Sequence, residues 1–156
     1  MLRRALAGRE KALGPDNLTT LTTVGTLARV LEETGKLENA EALHRRVFSG
    51  RRRALGGAHI DTLEAMNNLA VAMQKRGELE KADKLLRTAL RGRTDALGER
   101  HADTLSTLNS LALVRQKRGR LEQAESLYRK ALAGREEVLG ADHPDTLVTC
   151  HNLAVV

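Results

Sequence analysis

The word Leu97-Gly98-Glu99-Arg100-His101-Ala102-Asp103-Thr104-Leu105 has copies at Leu55 to Leu63 and at Leu139 to Leu147, and a weaker form at Leu13 to Leu21. The leading leucines, Leu13, Leu55, Leu97 and Leu139, are 42 residues apart each time, with no insertion. An interval of this size, held constant, makes the chain an array. One unit is too small to bury its own apolar face, so it has to stack on its neighbours. The 156 residues therefore count repeats, not globular domains. Residues 1–12 read as a half repeat, 13–54, 55–96 and 97–138 as full repeats, and 139–156 as a second half repeat. The two half units imply a single array that is a fragment of a longer one.

Within a unit the pattern predicts two helices. Helix A runs from about Ile60 to Arg76, with Leu63, Met66, Leu69, Ala70 and Met73 spaced three and four apart on one stripe. His59-Ile60-Asp61 has the form of a helix start, with an acid in the first turn where the helix dipole favours it. Pro144 suits the first helical position in the last copy. Gly77, repeated as Gly35 and Gly119, is placed to stop helix A in the left-handed conformation. Helix B runs from about Leu79 to Ala96, with Leu79, Ala82, Leu85, Leu86, Ala89 and Leu90 inward and Gly98 beyond its end. Two such helices joined by a short turn form an αα-hairpin.

Few residues suggest reaction chemistry. His59, His101 and His143 fall one per repeat, but metal ligands converge at about 2.0–2.1 Å from one ion, and repeat equivalents stand a whole hairpin apart. They read as helix-start residues. Cys150 beside His151 resembles a nucleophile and base, yet helical neighbours point about 100° apart. Cys150 also shares its repeat position with Val24, Met66 and Leu108, so it reads as a small buried hydrophobe. No phosphate loop, paired catalytic carboxylates or Ser/His/Asp arrangement is present. The reading is a non-enzymatic chain without cofactor or metal.

A second periodic set is polar. Arg9, Arg51, Arg93 and Arg135 recur near the end of each helix B, preceded by Gly8, Gly50, Gly92 and Gly134. Glycine inside a helix costs up to about 1 kcal/mol against alanine, so four of them ask for a steric reason. Close approach of the next helix A, or room for a ligand beside the arginine, would each supply one, and packing is the plainer of the two.

The positions Leu69-Ala70, Gly77, Leu79, Ala82, Leu86 and Ala89 resemble a tetratricopeptide repeat. The longer period, with Asn67-Asn68-Leu69-Ala70 and Leu139 to Leu147, resembles the kinesin light chain and nephrocystin-3 type of that repeat over the whole chain. The resemblance implies an all-α fold, a right-handed α–α superhelical solenoid of helical hairpins. It also implies a concave groove in which the helix-B arginine and the second asparagine of Asn-Asn-Leu-Ala contact a cargo peptide. The pairs here are Arg51 with Asn68 and Arg135 with Asn152. In Arg93 with Ser110, and Arg9 with Thr26, the asparagine is replaced. The candidate peptide-binding residues are therefore Arg9, Arg51, Asn68, Arg93, Ser110, Arg135 and Asn152. Asparagine offers a donor and an acceptor to an extended backbone, and arginine grips a carboxylate bidentately. Kinesin light chains usually carry an apolar residue where this chain has glycine before the arginine, a departure that weighs against the same aromatic peptide anchor.

With 26 Lys+Arg against 20 Asp+Glu the formal charge is +6, which favours an acidic partner. The runs Arg45-Arg46, Arg51-Arg52-Arg53 and Arg115-Gln116-Lys117-Arg118 also admit a nucleic-acid-binding solenoid. That is the poorer reading, because stacking aromatics are missing outside Phe48 and Tyr128, both at core positions, and acids interrupt the surface. The single cysteine excludes an internal disulfide, and the lack of a long apolar run excludes an ordinary membrane-spanning helix. The expected function is a cytoplasmic protein-interaction scaffold for an acidic peptide or protein segment. The other reading from the repeat type is a sensor portion of a larger signalling ATPase or other enzyme, so that the parent protein belongs to a motor or signalling complex.

Overall fold

The computed structural model describes residues 1–156 as eight helices and no strand. They are α1 (Leu2–Leu13), α2 (Leu18–Glu33), α3 (Leu37–Leu55), α4 (Ile60–Lys75), α5 (Leu79–Leu97), α6 (Ala102–Lys117), α7 (Leu121–Leu139) and α8 (Pro144–Ala154). The even-numbered helices correspond to helix A and the odd-numbered ones to helix B. The chain divides into two compact units, Met1–Glu78 and Leu79–Val156, so each unit runs B, A, B, A.

The helix ends are set by local hydrogen bonding. His59, His101 and His143 cap their helices: each Nδ1 accepts the backbone N–H two residues on, from Asp61, Asp103 or Asp145, at 3.2 Å. In the first copy Asn17 does the same for Thr19 through its side-chain oxygen at 2.9 Å. The A helices stop at Gly35, Gly77 and Gly119, whose φ values of 73°, 82° and 73° lie where only glycine is unstrained. The following N–H reaches back across the last turn in each case, for example Glu78 N to the Met73 carbonyl at 2.9 Å, which satisfies carbonyls the helix leaves over.

In the first unit Leu6, Val24, Val47 and Ala65 form the buried centre, with Leu27, Leu43 and Phe48 packed against it. In the second unit one cluster joins Leu105, Leu108 and Ala131, and another joins Ala112, Ala124 and the fully buried Tyr128. Each unit therefore draws its core from consecutive helices.

Two of the glycines before the arginines, Gly50 and Gly134, are explained by packing, though not against the next helix A as the sequence suggested. A Cβ on Gly50 would come within 2.5 Å of Leu21 Cδ1, and one on Gly134 within 2.5 Å of Leu105 Cδ2. Both leucines lie on the preceding helix A of the same hairpin, and both are buried. Around Gly8 there is nothing within 4 Å.

Cys150 also departs from expectation, since it is exposed. Helix α8 packs on α7 and meets α6 through Asn152. The face that carries Cys150, like the one carrying Leu147 and Val148, is open.

Two alanine substitutions separate packing from helix propensity. Gly50→Ala is expected to destabilise the first unit by about 1–3 kcal/mol, because overpacking against a buried leucine outweighs the propensity gain. Gly8→Ala is expected to be neutral or to stabilise by up to about 1 kcal/mol. Denaturant midpoints of the two variants against the parent chain measure the difference, and equal shifts would refute the steric explanation.

Candidate peptide-binding cleft

The recurring arginine joins each helix B to the helix A that follows. Arg93 Nη1 donates to the Asp103 carbonyl at 2.8 Å and to Thr107 Oγ1 at 2.9 Å. Arg135 repeats this with the Asp145 carbonyl at 2.6 Å and Thr149 Oγ1 at 2.7 Å. Arg9 does so with the Thr19 carbonyl at 3.3 Å and Thr23 Oγ1 at 2.5 Å. Each threonine hydroxyl in turn donates to the same carbonyl that receives the arginine, at 3.0–3.2 Å. The result is a closed triangle of guanidinium, hydroxyl and first-turn carbonyl.

These contacts correct the expected groove. Arg93 is 3% and Arg135 4% exposed, so neither lines an open surface. Burial pushes the Arg135 guanidinium below its usual range, against the pull of Asp145. The acceptors of both guanidinium groups include a backbone carbonyl and a hydroxyl. Ser110 returns its hydroxyl to the Ser106 carbonyl of its own helix at 3.1 Å, and Asn152 meets Asn109 at 3.5 Å.

Arg51 alone breaks the pattern. Its Nη1 donates to the Asp61 carbonyl at 2.9 Å, but the threonine position holds Ala65, and the second bond goes to Glu64 Oε2 at 2.7 Å. The Arg51 side chain is 15% and that of Glu64 51% exposed. Both line a cleft of about 150 Å³ walled by Thr22, Gly25, Thr26 and Arg29 of α2 and by Glu64, Ala65 and Asn68 of α4, with His44, Val47 and Arg51 of α3 as its floor. The structure therefore brings Arg51 and Asn68 together. Arg29 and Asn68 have no hydrogen-bond or ion-pair partner.

Gly25, Arg29, Glu64 and Ala65 are among the residues of this cleft that the sequence reading did not name as ligand contacts. Each departs from its repeat equivalents. Gly25 stands where the other copies have Asn67, Asn109 and His151, and Arg29 where they have Val71, Leu113 and Val155. Glu64 stands where they have Thr22, Ser106 and Val148, and Ala65 where they have Thr23, Thr107 and Thr149. Exceptions to the repeat, not the repeat itself, mark the site.

Beneath the cleft lies a buried polar group. His44 Nε2 is 2.8 Å from Glu32 Oε1, and Lys75 donates to the other oxygen of Glu32. Burial holds the His44 imidazole below its usual range, Glu32 acts the other way and Lys75 adds to the lowering. His44 is thus neutral, with Nε2–H donating to the carboxylate. The corresponding pair in the last full repeat is Tyr128, whose hydroxyl donates to Gln116 at 3.1 Å.

The basic runs are largely neutralised internally. Arg45 pairs with Glu41, Arg46 with Glu10, Arg53 with Asp16, and Arg115 and Arg118 with Asp83. No helix is long and apolar enough to cross a membrane.

Helical pairs of this length and spacing, joined by glycine turns, define a repeat protein built of αα-hairpins. A model of the tetratricopeptide repeat matches residues 25–95, 61–137 and 103–156, and the chain belongs to that family. Among solved structures it is similar to the nearly identical tetratricopeptide-like repeats of a Podospora anserina protein assigned as a kinesin light chain. The identity there is 26% and the TM-score 0.80, over 99% of this chain and 73% of the other. BtubC (BKLC) of P. vanneervenii shares the fold at a TM-score of 0.84 and 20% identity, over 99% of this chain and 61% of that one. The all-α tetratricopeptide class and the kinesin light chain type of repeat read from the sequence agree with these matches. No curated protein matches the sequence.

Replacing Thr107 with valine leaves the buried Arg93 with one acceptor fewer, and is expected to cost about 1–3 kcal/mol. A denaturation midpoint equal to that of the parent would rule out a structural role for the triangle. The pH dependence follows from His44. Its folded-state pKa lies below the ordinary 6.5, so the unfolded chain takes up the proton first as pH falls. The stability from a neutral His44 is full above that ordinary value and is lost as pH falls through the folded-state one. Midpoints measured between about pH 8 and pH 5 are expected to fall less steeply in His44→Gln than in the parent chain. Parallel curves would contradict this assignment.

Proposed function

We propose that the chain is a non-enzymatic protein-interaction scaffold that holds an extended, acidic segment of a partner in the cleft between α2 and α4. Membership of the tetratricopeptide repeat family and similarity to kinesin light chain-type repeats support the scaffold. The observation that carries the acidic ligand is the placement of Arg29, Arg51 and Asn68 on one cleft, with Arg29 and Asn68 unpartnered. A carboxylate between the two guanidinium groups gains charge-assisted hydrogen bonds. An amide that both donates and accepts suits the backbone of a chain lying along α4.

Of the seven residues named from the sequence, this reading keeps Arg51 and Asn68 as ligand contacts and adds Arg29. Arg9, Arg93 and Arg135 act between helices. Ser110 and Asn152 are occupied within the second unit.

The test uses a fluorescein-labelled peptide of about ten residues, alternating glutamate and alanine with blocked ends, and its glutamine and lysine counterparts. Arg29→Glu combined with Asn68→Ala is expected to weaken binding of the glutamate peptide tenfold or more. Each lost charge-assisted contact is worth about 1.5–3 kcal/mol. Arg91→Glu, the same charge change on exposed α5, serves as control. Equal affinities for parent and double variant, or preference for the lysine peptide, would refute the proposal.

A further inference from the structure

We infer that Glu64 is a built-in competitor for the acidic ligand, and that the replacement of threonine by Ala65 is what leaves Arg51 able to exchange one carboxylate for another. The inference rests on the proposed acidic cleft and specifies how its central arginine is regulated.

At the other three junctions the arginine has two acceptors fixed by the fold, a first-turn carbonyl and a threonine hydroxyl. A hydroxyl on a buried helix face cannot move away, so those arginines stay where they are. At Arg51 the carbonyl of Asp61 remains, but the second acceptor is the carboxylate of a long, half-exposed side chain. Such a pair is worth little in water and is held by few constraints. Glu64 therefore does to Arg51 what a ligand carboxylate would do, at the same nitrogen and from the same side of the cleft. Its departure costs only that weak pair, and the arginine keeps its backbone anchor throughout.

The surrounding charges fit exchange better than a permanent bridge. Arg29, on the facing wall, has no partner of its own, so an incoming acidic group meets a second cation as it displaces Glu64. Gly25 widens the cleft at the level where the other A helices carry Asn67, Asn109 and His151. Arg29 and Gly25 of α2 line the same cleft as Arg51 and Glu64. A purely structural ion pair at this junction would need only the Arg51–Glu64 contact and gives no reason for Arg29 or Gly25.

The mechanism makes opposite predictions for neighbouring residues. Glu64→Gln removes the competing charge, and is expected to tighten binding of the glutamate–alanine peptide about two- to tenfold, the range set by loss of a partly exposed pair. Ala65→Thr restores the hydroxyl, closes the triangle on Arg51 and is expected to weaken binding by a similar factor. Ala65→Val adds the same bulk without an acceptor, and is expected to leave the affinity within twofold of the parent. Anisotropy titrations of the whole chain at low and high salt measure all three, with denaturant midpoints as the check on folding. Tightening in Glu64→Gln together with weakening in Ala65→Thr but not Ala65→Val supports the inference. Unchanged or weaker binding in Glu64→Gln overturns it, as does equal weakening by threonine and valine. These outcomes leave the acidic cleft standing if the parent still binds the peptide through Arg29 and Asn68. If neither the parent nor Glu64→Gln binds the peptide, both the cleft and the competitor are refuted.

Discussion

The guanidinium group that crosses from the end of one helix B to the first turn of the next helix A is the contact on which the structure depends. In a repeat array stability comes from the hairpins and from the interfaces between neighbours, and this bond sits in the B-to-A interface. It is also a place where the chain buries a charge, at Arg93 and Arg135. Burying an unpaired ion costs several kcal/mol, so Arg93 and Arg135 are tolerable only because a carbonyl and a hydroxyl wait for them. The opposite end of the interface carries a second arginine contact. Arg76, at the end of α4, meets Glu41 of α3, and Arg118, at the end of α6, meets Asp83 of α5. The Glu41 carboxyl is raised by burial but held below its usual range by hydrogen bonds from Arg45 and Arg76, which keeps that end ionic as well. Two clamps at opposite ends leave the middle of each interface to small apolar residues such as Ala89 and Ala131.

How much of this could be read from the amino acids depends on the range of the interaction. The period, the helices, the stops at Gly35, Gly77 and Gly119 and the helix-start role of His59, His101 and His143 are local: they follow from a residue and its neighbours within one or two turns. The fate of the arginines is not local. An arginine on the last turn of a helix carries the same sequence signature whether it faces solvent or the next hairpin. What decides is a threonine fourteen residues on, as for Arg93 and Thr107, and that spacing means nothing until the loop between the helices is closed. The glycines failed in the same manner. Their need for space was legible, but Gly50 gives way to Leu21 of its own hairpin, twenty-nine residues earlier. For Cys150 the repeat equivalence did not carry over to burial, since its side chain is exposed.

The candidate cleft was half visible. Arg51 and Asn68 came from the resemblance to kinesin light chains, whereas Arg29, Gly25, Glu64 and Ala65 are departures from the internal repeat that look like drift when read singly. Their meaning appears when they are found on one surface. At the other three junctions the arginine has its acceptors supplied by the fold, and a group held in that way has little to offer a ligand. A binding site needs unsatisfied or exchangeable groups, and at this cleft Arg29 and Glu64 stand where the pattern is broken.

The same distinction weighs against a nucleic acid as the partner. A net charge of +6 gives a long-range attraction for any polyanion, but affinity for a phosphate backbone needs several cations free to replace condensed counterions. Many of the arginines that make the sequence look basic already have partners: Arg9, Arg93 and Arg135 have carbonyls and threonines, and Arg45, Arg46, Arg76, Arg115 and Arg118 have carboxylates. The two aromatic rings that might stack on bases belong to the packed interior, Phe48 in the first unit and Tyr128 in the second. What the cleft presents instead is one free guanidinium, one exchangeable guanidinium and one free amide. That is too few charges to follow a phosphate chain, and under the proposed function it suffices for one acidic side chain and the peptide bond beside it.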